Sequence, residues 1–113
     1  MGKKPRDMAY SDYGLTKERI RFLKSCCRAG THEALINDCI KNACNFIAPQ
    51  MRISVKFGIA YDRLEYTKKY GRIPCGRTDF YGYQRLFYHL LDINMNRVQR
   101  EPEEMVKSEG IGA

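Results

Sequence analysis

The chain has 113 residues, with 20 Lys and Arg against 13 Asp and Glu for a formal net charge of +7. That length suits one ordinary domain and excludes a multidomain enzyme, while the positive balance attracts polyanions and excludes a nucleic-acid mimic, which needs the opposite sign. At 43% hydrophobic and 12% aromatic, the composition is too apolar for a disordered chain.

Residues 1–14 carry Gly, Pro, Asp and Ser with no apolar period and are expected to form a flexible leader, with Tyr10 and Tyr13 able to dock on the body. The basic start is not followed by an apolar stretch, so no signal peptide is expected; nor does any run of about 18 apolar residues suggest a membrane span. These absences predict a cytoplasmic protein with no membrane partner. Thr16 is a natural N-cap for a helix from Lys17 to Ala29 that stops at Gly30. Lys17, Arg21, Lys24 and Arg28 recur on one stripe of that helix, where like charges repel unless an anion sits nearby.

Thr31 is expected to cap a second helix, His32 to Ile47, whose wide stripe of Leu35, Ile36, Cys39, Ile40, Ala43, Cys44, Phe46 and Ile47 predicts the central core element. Pro49 breaks it and suits the first turn of a third helix, Pro49 to Phe57, ending at Gly58. A fourth helix is expected from Ala60 to Tyr70, closed by Gly71. A last helix starts at Thr78 or Asp79 and runs to Asn94 or a turn further, before a flexible polar tail over 98–113. No run alternates like a strand between hairpin signals, so the fold class is all-α: a four- to five-helix bundle occupying 15–97 as one domain.

Five cysteines in a cytosolic chain are expected to stay reduced. Cys26, Cys27, Cys39 and Cys44, with His32 between them, lack the paired Cys-x-x-Cys knuckles of structural zinc, so we read them as small buried hydrophobes. The sequence contains no Gly-rich phosphate loop, no HExxH and no nucleophile motif beside His32 or His89, so neither catalysis, cofactor nor metal is expected.

On a helical wheel the last helix places Phe80, Tyr83, Leu86, Phe87, Leu90, Leu91 and Ile93 on one broad apolar arc. The opposite arc carries Tyr81, Arg85, Tyr88, His89 and Asp92, and is expected to be exposed as a gripping surface because Tyr and Arg carry binding energy. Basic density rises around it, with eight Lys and Arg against three Asp and Glu over residues 52–85. Two helices joined by a Gly-containing connection, with Arg77, Thr78 and Tyr81 at the start of the second, suggest a C-terminal helix-turn-helix-like unit.

The stretch from Gly58 to Leu64, followed by Ile73-Pro74-Cys75-Gly76-Arg77-Thr78-Asp79-Phe80-Tyr81 through Arg85, resembles small phage-encoded late-transcription regulators with a sigma-factor-like helix-turn-helix. The resemblance implies Asp62 and Leu64 on the supporting helix, Ile73 in the turn, and Arg77, Thr78, Tyr81 and Arg85 on the reading helix. The expected function is a phage or prophage DNA-binding transcriptional regulator. Arg72, Arg77, Thr78, Tyr81, Arg85, Tyr88 and His89 are expected to contact duplex DNA, with Lys17, Arg21, Lys24 and Arg28 as a secondary basic stripe. The alternative is a phage-encoded inhibitor of a host defence complex, of the anti-CRISPR type, gripping an acidic effector protein or its nucleic-acid channel.

Overall fold

The computed structural model describes residues 4–67 and 72–112, with side chains over 4–66 and 72–96. The class is all-α, and among the described residues there is no strand and no helix long and apolar enough to cross a membrane. Helix α1 is Lys17–Ala29: Thr16 Oγ1 accepts the Arg19 N–H at 3.1 Å, and Gly30, at φ 70°, closes it by donating its N–H to Cys26 O. Leu23, Cys26 and Cys27 form its buried face.

Helix α2, Glu33–Cys44, is shorter than its apolar stripe suggests. Its N-cap is His32 rather than Thr31, whose hydroxyl turns to His32 Nδ1 at 3.0 Å. At the other end Pro49 has no N–H to offer the Asn45 carbonyl, and the chain tightens into a 3-10 turn over Asn45–Ile47. Helix α3, Ala48–Phe57, ends at Gly58 with φ 66°. Helix α4 is Tyr61–Thr67, and the closing role expected of Gly71 lies outside the described residues. Helix α5 begins at Arg77 and continues to Gly112, well past Asn94, through a segment with four Glu, two Met and two Arg, which favour helix. The expected break from helix to tail near residue 98 is therefore absent from the backbone.

The core lies along α5, which packs mainly on α2, with α1 and α3 completing the enclosure. Phe80, Phe87, Leu91 and Met95 of α5 meet Leu23, Ile40, Ile47 and Met51, all essentially without solvent contact. Phe46 and Ile93, both expected on buried stripes, fall outside this core at 50% and 49% exposure.

Residues 4–15 do not trail away as a loose leader. Two 3-10 turns, Pro5–Asp7 and Tyr10–Tyr13, lie on the flank of α5 that α2 leaves open, and Leu15 is buried behind them. Gly14, at φ 73°, reverses the chain into α1. Asp12 accepts the Ala9 N–H at 2.8 Å and holds the second turn closed.

The expected C-terminal helix-turn-helix-like unit is not confirmed: positions 68–71, between Thr67 and Arg77, lie outside the described residues. The first turns of α5 are also occupied by the protein itself, with Phe80 fully buried and Gly82 under the Pro5–Asp7 turn.

Candidate nucleic-acid interface

The polar arc of α5, expected to face outward, is drawn into internal contacts. The Tyr81 hydroxyl accepts the Tyr61 N–H at 3.0 Å. Arg85 donates from Nε to Met8 O at 2.6 Å and from Nη2 to Arg6 O at 3.4 Å. Tyr88 is 2% exposed, tilted against Phe87 and facing Tyr10, and burial raises its phenol pKa above the ordinary value. His89 stacks on Tyr13 with ring centroids 4.4 Å apart, and its Nδ1 is buried. Asp92 accepts from Arg19 Nε of α1. For Arg85, Tyr88 and His89 the cause is the folded-back N-terminal segment: such side chains carry apolar bodies as well as polar tips, and both find partners beneath residues 6–13. Of the residues expected to bind, Arg72, Arg77 and Thr78 remain exposed, and Arg77 Nη2 lies 3.4 Å from Asp62 Oδ2 on α4.

The secondary stripe fares differently. Lys17, Arg21, Lys24 and Arg28 are all exposed along α1, and among the described residues none has an acidic partner within 4.0 Å. Arg19, on the inner side of the same helix, is paired. With Ile20, Ser25 and Ala29 the four cations line an open groove of about 740 Å³. Elsewhere the surface cations are partly neutralised, as where Lys56 and Arg52 of α3 donate to Glu33 at 2.8 and 3.2 Å and hold its carboxyl below the usual range.

Between α3 and α4 the chain makes a short turn, one helix earlier than the expected connection. Only Gly58, Ile59 and Ala60 separate α3 from α4. Gly58 supplies the left-handed residue, the Ile59 N–H donates to Ser54 O at 3.2 Å, and Ser54 Oγ donates to Ile59 O at 2.7 Å. Gln84 Nε2 of α5 donates to Ser54 Oγ at 3.1 Å, which ties the turn to the core. On the inner side Leu64 is buried, Ile59 packs against the core, and Tyr61 leans on Phe80 while donating its hydroxyl to Cys75 O at 2.8 Å. On the outer side Ala60, Asp62 and Arg63 are exposed, and Tyr66 is 87% exposed. Tyr66 is the most exposed of the large apolar side chains among the described residues.

The signals for this unit were present in the residues: a glycine stop at 58, an apolar Ile59, a helix restart by 61 and a buried-type Leu64 three residues on.

The cysteines are core residues. Cys26, Cys27, Cys39 and Cys44 are buried, and burial pushes the Cys27 and Cys44 thiols up to about 12 and Cys39 to about 11. Among the described residues no three His, Cys, Asp or Glu side chains converge on a metal position. No protein-family model matches the chain, and neither a curated protein nor a solved structure shows significant similarity to it.

Proposed function

We propose that this protein binds duplex DNA as a small transcriptional regulator, with α3 as the supporting helix and α4 as the helix presented to the major groove. The observation that carries this reading is the three-residue turn at Gly58, which buries one face of α4 and leaves Arg63 and Tyr66 bare on the other. In helix-turn-helix proteins the second helix of such a unit meets base edges. Arg forks onto guanine, and a phenol reaches phosphate or base oxygens. Arg77, placed beside α4 by Asp62, adds a cation at the edge of the same face.

The test is selection of duplexes from a random library, followed by affinity measurements on the selected sequence. Arg63→Ala and Tyr66→Ala are each expected to weaken the selected duplex by roughly five- to 150-fold while leaving a mixed-sequence duplex much less affected. Both side chains are exposed, so the thermal midpoint should stay within a degree or two of the parent. Absence of any duplex binding at low salt, together with a stable complex with an acidic effector protein, would overturn the reading in favour of a defence-complex inhibitor.

A further inference from the structure

We infer that Lys24 and Arg28 of α1 clamp the sugar-phosphate strand that borders the groove entered by α4. This inference rests on the DNA-binding reading. The two cations face the helix-turn-helix unit across a cleft of about 200 Å³, lined also by Ser54, Gly58, Ile59, Ala60, Tyr81 and Gln84. The side of the α3–α4 turn toward α1 therefore meets paired positive charge.

Arg28 reaches this turn closely. A Cβ at Gly58 would come within 2.8 Å of Arg28 Nη2 and 3.4 Å of its Cζ, so the guanidinium lies over the one residue in the turn with no side chain. Glycine at 58 thus serves twice, allowing φ 66° and giving the guanidinium room at the foot of α4. Neither Lys24 nor Arg28 has a carboxylate within 4.0 Å among the described residues. Four like charges in line on one helix face are mutually repulsive, and a row of phosphates relieves that repulsion.

Arg21 and Lys17 continue the row away from the cleft. From Arg28 to Lys17 the stripe covers about 16 Å of helix, a length suited to a strand of phosphates rather than to a single small anion. Duplex DNA supplies this charge density together with a groove beside it for α4, so one ligand satisfies both surfaces.

Salt dependence of binding to a mixed-sequence duplex of about two helical turns, followed by fluorescence anisotropy, tests the assignment. Lys24→Gln and Arg28→Gln should each make the slope of log K against log salt shallower by roughly 0.9, and the double variant by roughly twice that. Arg28→Lys should retain the parent slope, and circular dichroism should show all variants folded. Lys41→Gln, which removes an exposed cation from α2, should change the slope little. Retention of the full slope by the double variant, or an equal loss in Lys41→Gln, overturns the clamp while leaving the role of α4 standing. Tyr66→Ala separates the two further, since it should lower affinity for a selected sequence without altering the slope. If the parent binds no duplex at the lowest salt, both readings fall.

Discussion

The backbone of Arg6 lies directly on Gly82: a Cβ at that glycine would come to 2.6 Å from Arg6 Cα and 2.7 Å from Arg6 N. A glycine in the second turn of a helix ordinarily costs about 1 kcal/mol relative to alanine. Here it allows residues 5–8 to approach α5 and receive the two hydrogen bonds of Arg85. Gly82→Ala is therefore expected to destabilise despite its better helix propensity, by about 1–3 kcal/mol in denaturant unfolding, because backbone atoms cannot swing aside as a flexible side chain can. Trypsin should also cut faster after Arg6. Unchanged or increased stability would show that the N-terminal turn does not hold this position.

Arg19 and Asp92 join α1 to α5, and the same guanidinium donates from Nη2 to Asn96 Oδ1 at 2.8 Å and lies over the Phe22 ring at 4.9 Å. The pair is three-quarters shielded from water, so removing one partner leaves a charge with little solvent to compensate it. Asp92→Asn is expected to cost on the order of 1–3 kcal/mol. Asp62→Asn, which breaks an ion pair with both side chains about two-thirds exposed, should change stability by less than about 1 kcal/mol. Equal effects in urea melts would contradict the difference in burial.

The buried thiols give the fold an alkaline limit. Cys27, Cys39 and Cys44 are harder to ionise folded than unfolded, where the ordinary value is near 9.0. Their contribution is whole below that value and declines as the pH rises toward 11 and 12, because the unfolded chain releases protons that the folded one retains. Each such thiol should remove up to about 1.4 kcal/mol per pH unit in that window. Buried Tyr88 acts in the same direction at still higher pH. Stability measured from pH 7 to pH 11 should fall at the alkaline end, and in native protein the half-buried Cys75 should alkylate before the other four. A flat profile, or rapid modification of all five cysteines, would contradict this account.

Local chemistry made much of the framework readable. Thr16 and Gly30 bound α1 because a cap oxygen and a left-handed glycine act within a few residues. Gly58 ends α3 for the same reason. The apolar period of α5 identified Phe80, Phe87 and Leu91 as core, and the missing zinc knuckles pointed to cysteines packed as small hydrophobes.

The destination of the amphipathic residues was set by distant chain. Nothing within a helical wheel distinguishes a tyrosine waiting for DNA from one waiting for the protein's own N-terminus. Arg85 meets Met8 across 77 positions, and Asp92 meets Arg19 across 73. Once those segments fold onto α5, its polar arc is satisfied internally, and exposed cations and phenols remain on α1, on α4 and at the start of α5. Sequence alone determined where helices begin, end and turn greasy, since those preferences are local; tertiary packing decided which cations and phenols face water, since that depends on what else covers them.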